Sequence, residues 1–354
     1  GYTAGMDAQG TSATAVGDSA GRLSQNNYAT AVGYLAGYNA QATNTVAVGI
    51  AAGQVSQGAS ATAVGYKAGS NTQGTRATAI GEIAGCVSQG AYAVAVGLAA
   101  GQVSQGESTV AVGYGAGNAN QNNYATAAGY HAGYNAQGAY ATAVGNQAGS
   151  NAQENFSTAI GFNAGKVSQG ASAVAMGNIA GCGSQGANAT AVGYSAGYNA
   201  QGDNSVAVGL GAGKVSQGAS AVAVGDHAGS NAQGQYAVAV GLNSGLNAQA
   251  ASAIGVGNAS GKNSQGQYAV AIGEATGCSA QGAQGVAVGL GAGKVSQGAS
   301  AVAVGDHAGS ASQGATTVAI GQRAGYNVQG DNSVAIGYQA GYADQGTKSV
   351  ALGI

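Results

Sequence analysis

The sequence predicts an all-β fold, a parallel β-solenoid of about 22 coils of 16 residues each, with residues 1–354 forming one repetitive domain. Three observations predict it. Stepping by 16 from Gly1 meets Gly at every step to Gly353, and the same step carries Gly5 to Gly341 and Gln9 to Gln345 without a gap. Each glycine of the first series is preceded by an alternating stretch such as Ala221-Val222-Ala223-Val224. The composition, with 68 Gly, no Pro, no Trp and 6% charged residues, departs from ordinary globular usage and fits a repetitive scaffold. A fixed internal period of this kind is the signature of stacked units that bury their apolar face against one another.

Each coil can be written as columns 1 to 16 starting at Gly1. Column 14 is always Val, Thr or Ile, and column 16 is Val, Ile, Leu or Met apart from Ala128. Columns 4, 13 and 15 are nearly all Ala or another small residue. Period-two alternation of β-branched and small residues, bounded by Gly and by Asn/Ser/Gln clusters, is a strand signal. Sixteen residues cannot hold a βαβ unit and the glycine content opposes helix, so the economical coil is two short strands joined by turns, paired in parallel with the next coil. At the usual strand spacing of about 4.8 Å, 22 such coils would extend roughly 100 Å. Gly in columns 1, 5 and usually 10 suits turns that require positive φ or close backbone approach.

A narrow coil encloses little volume. Columns 14 and 16, with the Ala of column 4, are expected to fill the core, which leaves columns 13 and 15 as an external Ala stripe along which other chains pack. The reverse assignment, with Ala inside and Val at the contact between chains, is also open. Either version predicts an oligomer.

The Gln column, beginning Gln9, Gln25, Gln41, Gln57 and Gln73, is expected to form a structural ladder of amides, because a buried amide must find partners and identical side chains in stacked coils supply them. All 18 Tyr lie in columns 2, 6 and 12. Turn aromatics such as Tyr38, Tyr134, Tyr198, Tyr326 and Tyr342 are candidate binding residues, since an exposed ring offers rigid amphipathic area for a protein or sugar surface; packing between coils or chains is the alternative use. Near-copies at 209–230 and 289–310 point to internal duplication. Coils between Gly241 and Gly289 depart from the pattern, with Ser244, Ser260 and Thr276 in column 4 and Gly255 in column 15.

Several chemistries lack residues. Cys86, Cys182 and Cys278 share column 6 but stand six coils apart, too far to bridge within the chain, so free thiols are expected. His131, His227 and His307 are likewise coils apart in column 3, and acids form no column, so neither a metal nor any other cofactor is expected. No Ser-His-Asp set or phosphate-binding loop can be assembled, and the expectation is a protein that is not an enzyme, with no catalytic residues. The formal charge of −2 gives no basic footprint for nucleic acid, and no apolar run is long enough for direct membrane insertion. The chain starts and stops within ordinary coils, as expected of a piece of a longer protein.

Runs such as Ser333-Val334-Ala335-Ile336-Gly337-Tyr338-Gln339-Ala340-Gly341-Tyr342 and Ala191-Val192-Gly193-Tyr194-Ser195-Ala196-Gly197-Tyr198 resemble the head repeats of trimeric autotransporter adhesins, and more closely the related repeats of phage tail fibres. The resemblance covers the whole chain, although the adhesin head repeat is shorter than the one here. It implies a left-handed β-roll, a homotrimeric assembly, and an extracellular place on a cell or virion surface. Its partners would be two further copies of itself and a surface protein or glycan of a host or neighbouring cell. The function so expected is that of an adhesin or tail-fibre-like module. A purely structural filament or sheath subunit is the alternative, and an ice-binding solenoid is a second, suggested by the recurrence of Thr in column 14 from Thr14 to Thr190.

Overall fold

A computed structural model describes residues 1–353. All regular structure among them is β, with parallel coils that in most cases hold two three-residue strands. The chain divides into two compact units, Gly1–Met176 and Gly177–Ile354. In the first, strands from Thr14–Val16 to Val174–Met176 stack as one sheet and strands from Leu23–Gln25 to Val167–Gln169 as the other. In the second, the corresponding series run from Thr190–Val192 to Val350–Leu352 and from Asn199–Gln201 to Val328–Gln329. Partners are related by one repeat: Val94, Ala95 and Val96 pair with Val110, Ala111 and Val112, and Gln89 with Gln105. Like residues therefore lie over one another.

The strand of columns 14–16 forms because two β-branched side chains flank a small one on a pleated surface. The glycine of column 1 ends it. Gly49 has φ +126°, and a Cβ there would stand 2.6 Å from the carbonyl oxygen of Gly65. Column 5 is equally restricted, since Gly53 has φ +51° and its Cβ would meet Gln57 Oε1 at 2.8 Å. Column 10 is glycine for space alone: Gly58 is not in the left-handed region, but a Cβ would lie 2.7 Å from the backbone of Gly74.

Three further columns adopt left-handed backbone without glycine. Within one coil Leu35, Ala40 and Asn44 have φ of 54°, 53° and 60°, and columns 3, 8 and 12 repeat this along the chain. Such conformations cost roughly 1 kcal/mol or more each. Hydrogen bonds between coils offset the cost, as where Leu35 N donates to Asp18 O at 3.0 Å and Asn44 N to Asn27 O at 3.1 Å. Column 8 lies inside the second strand, and the pairing there skips it, joining columns 7 and 9 only.

The core reverses the first of the two face assignments made from sequence. Ala of columns 4, 13 and 15 is buried in all but the terminal coils, as at Ala36, Ala29 and Ala31, whereas Val and Thr of columns 14 and 16 face outward. The coil is so narrow that the methyls of column 4, in the turn, meet those of column 15, in clusters such as Ala20, Ala31, Ala36 and Ala47, and small side chains fill nearly every position of this layer. Only the glutamine of column 9 crosses this layer.

Coils near residue 250 are internally compensated. Ser244 Oγ, buried in column 4, donates to Gly255 O at 2.8 Å, and a Cβ on Gly255 would stand 2.8 Å from that hydroxyl. Ser260 Oγ donates to Ala271 O at 2.6 Å, and Thr276 Oγ1 donates to Gly289 O. Each hydroxyl in the column normally held by Ala thus finds a backbone acceptor, as a buried polar group must.

Candidate binding surface

The glutamine column does two jobs. Gln57 Nε2 donates to Val46 O at 2.8 Å and to Ala61 O at 3.2 Å, so the amide ties its own sheet to the backbone of the opposite one. Nothing in the residue pattern announces this cross-core bond. Amide-to-amide bonds are also present, but unevenly. Among the first five glutamines one such bond joins Gln41 to Gln57 at 3.1 Å, and Gln73 continues to Gln89 at 3.2 Å. Gln9 and Gln25 donate only to backbone carbonyls. Where the series is interrupted, as at Gln25, Gln41 and Gln73, the buried Oε1 has no hydrogen-bond partner among the described residues. In the second unit the series is unbroken from Gln217 through Gln233, Gln249, Gln265 and Gln281 to Gln297, with separations of 3.0–3.1 Å.

The outer face of the first sheet is apolar. Val112 and Ile272 are each 41% exposed, and most of their column neighbours are half-buried. The two units differ in column 14: Thr occupies it at residues 14, 30, 62, 78, 126, 142 and 158 in the first, and only at 190 in the second. These threonine hydroxyls make no hydrogen bond among the described residues and point away from the core.

Of the candidate tyrosines, Tyr38, Tyr134, Tyr198 and Tyr326 are half-buried, and only Tyr342 is exposed. Arg22 Nη1 donates to the Tyr38 hydroxyl at 3.2 Å, and Tyr326 stacks on Tyr342 at 5.1 Å between ring centres. Tyr134 belongs to a cluster in which His131 stacks on it at 4.5 Å and on Tyr130 at 4.2 Å. The more exposed rings are those of columns 2 and 12, because column 6 lies against the start of the second strand. In column 12, Tyr124, Tyr140 and Phe156 stack in succession at 4.8 and 5.2 Å.

The histidines carry a further signal in the sequence. Column 3 holds glycine only at Gly115, Gly211 and Gly291, one coil before His131, His227 and His307. Each imidazole lies over that glycine: a Cβ on Gly115 would be 2.7 Å from His131 Cδ2, and on Gly291 3.1 Å from His307 Cδ2. His227 pairs with Asp226, and His307 Nδ1 lies 2.5 Å from Asp306 Oδ1. The His307 hydrogen bond, and one donated by Gln322 Nε2 at 3.0 Å, hold the Asp306 carboxyl below its ordinary value. Cys86, Cys182 and Cys278 are half-buried, and none is in a disulfide. Among the described residues no group of three or more His, Cys, Asp or Glu could hold a metal ion, and no helix is long and apolar enough to cross a membrane.

In comparisons with known proteins, no family model matches the chain, and no curated protein matches it.

Proposed function

We propose that the chain is a fibrous attachment module of a cell or virion surface, associating as a homotrimer through the outward aliphatic face of columns 14 and 16. The observation that carries this reading is that face. Val, Ile and Leu repeat there in every coil of the second unit, about twenty side chains in all, on a surface of three-residue strands where they stay half-buried or exposed. Flat apolar area of that extent on a soluble protein marks a contact surface. If burial on association returned only about 1 kcal/mol for each such side chain, the sum would reach or exceed the 4–15 kcal/mol that association costs. The turns of columns 2, 10–12 and 3, with their aromatic and polar side chains, then remain free to meet a surface protein or glycan. The resemblance to adhesin and tail-fibre repeats supports the trimer and the extracellular place.

The test is the mass of the native particle together with Val222→Lys/Val238→Lys, which sets two charges on the proposed contact. The wild type is expected at three times the chain mass, and the variant at the chain mass with its far-ultraviolet spectrum unchanged. A monomeric wild type at micromolar concentration overturns the reading. The threonine-rich face of the first unit favours ice binding as a second reading, because its hydroxyls, unpartnered among the described residues, recur in seven of the eleven coils of one sheet. Thermal hysteresis abolished by Thr142→Lys would select it.

A further inference from the structure

Two departures from the repeat coincide in the same three coils, residues 113–160. The first is in column 10. Glycine is usual there, and only here does a glycine coil, that of Gly138, lie between two coils with polar side chains in that column, Asn122 and Glu154. With coils about 4.8 Å apart, those side chains form two walls about 10 Å from each other over a backbone floor. The resulting slot, about 300 Å³, is lined by Asn120, Asn122, Ala136, Gly138, Glu154 and Asn155. The second departure is in column 12, where Tyr124, Tyr140 and Phe156 are its only run of three aromatics.

We infer that this slot and the adjoining aromatic column form a carbohydrate-binding site for the pyranose rings of an oligosaccharide. The polar equipment is that of hydroxyl recognition. Asn155 Oδ1 accepts from Ala139 N at 2.8 Å, which fixes the side chain and leaves its Nδ2 as an outward donor. The Glu154 carboxylate and the Asn122 amide make no side-chain hydrogen bond among the described residues and offer acceptors to neighbouring sugar hydroxyls. A single carboxylate among amides suits a neutral polyhydroxylated ligand better than a cation, which would draw several acidic oxygens.

The aromatic column supplies the apolar part. Tyr140 is covered on both faces by its neighbours, but Phe156 is 60% exposed and the next coil carries Ser172 in that column, so one face of the Phe156 ring has no aromatic cover. The free face of Phe156 is turned toward the coil of Ser172, so one pyranose ring can lie on it while the next reaches past Glu154 to the Asn155 amide and the slot, an alternation of apolar face and polar edge that matches the C–H faces and hydroxyls of an oligosaccharide. The left-handed backbone of column 12, φ 60° at Phe156, holds the ring on a stiff turn rather than a mobile loop. Gly138 must stay small for the floor to exist, since a Cβ there would lie 2.5 Å from Asn155 N.

This inference narrows the glycan partner of the proposed function to one place, at a turn off the aliphatic face. The test uses the full chain with cellotriose, maltotriose, mannotriose and triacetylchitotriose at millimolar concentration, read by saturation-transfer NMR and calorimetry. Two variants return a position to the residue its column carries in other coils: Glu154→Gly and Phe156→Ser. Neither is expected to unfold the coil. At least one trisaccharide is expected to bind the wild type, and each variant is expected to weaken it by about tenfold. No binding by any of the four, or binding that either variant leaves unchanged, overturns the site. Particle mass measured in the same samples separates the two proposals, because sugar binding by a monomer would sink the trimer and leave the slot standing.

Discussion

Gln233→Leu measures what the glutamine column contributes. The side chain is buried, with Nε2 donating to Val222 O at 2.8 Å, to Ala237 O at 3.3 Å and to Gln249 Oε1 at 3.1 Å, while its Oε1 accepts from Gln217 Nε2 at 3.1 Å. Leucine retains bulk but makes none of these four bonds. The two amide hydrogens serve three acceptors, so the contacts amount to about three full bonds; at about 1 kcal/mol net for each, the loss is about 3 kcal/mol, and Gln249 Oε1 is left buried without its donor. For a folding unit of this size that corresponds to a fall in Tm of roughly 10 °C. Coils couple mainly to their neighbours, so the damage should be local. Thermal melts by circular dichroism give the total, and hydrogen exchange at the amides of Val222 and Val238 gives the place. A Tm within about 2 °C of wild type, or above it, would refute the reasoning, since it would mean that the Ala layer holds the sheets together without the amide.

Two further outcomes follow from single contacts. Gly255→Ala drives a methyl against Ser244 Oγ and should cost about 1–3 kcal/mol in urea melts; Ser244→Ala in the same chain should recover most of it, because other coils carry Ala in both columns, and strictly additive effects would refute the coupling. Asp306 should titrate below the ordinary carboxylate range by carbon NMR, and Gln322→Ala should move the midpoint upward. The sign is that of a depressed acid: the pairing favours the fold above the unfolded-state value of Asp and is lost as pH falls through the lower folded value, so a midpoint at or above the ordinary value would contradict it.

Much of the fold was legible in the residues because the repeat constrains every coil alike. The unbroken glycine and glutamine columns determined the rung length, the parallel stacking and the presence of strands, since only identical coils in register place Gln89 against Gln105 and Val94 against Val110. Glycine in columns 1 and 5 announced turns that no other residue tolerates. The sequence also contained the Gly115–His131 pairing and the coincidence of Asn122, Glu154 and Phe156, but these become meaningful only once residues sixteen apart are known to touch.

Tertiary structure alone decided which strand face is the interior. Alternation tells that Val222 and Ala223 point to opposite sides, and it is silent on the gap between the sheets. That gap admits two methyl groups and one crossing amide, so Ala went inside and Val outside, against the habit that larger apolar side chains are buried. The left-handed φ of Leu35 and Ala40 was hidden for a related reason: unlike Asn44, these residue types do not seek that conformation, and it is the stacking that imposes it, with Leu35 N bonded to the adjacent coil.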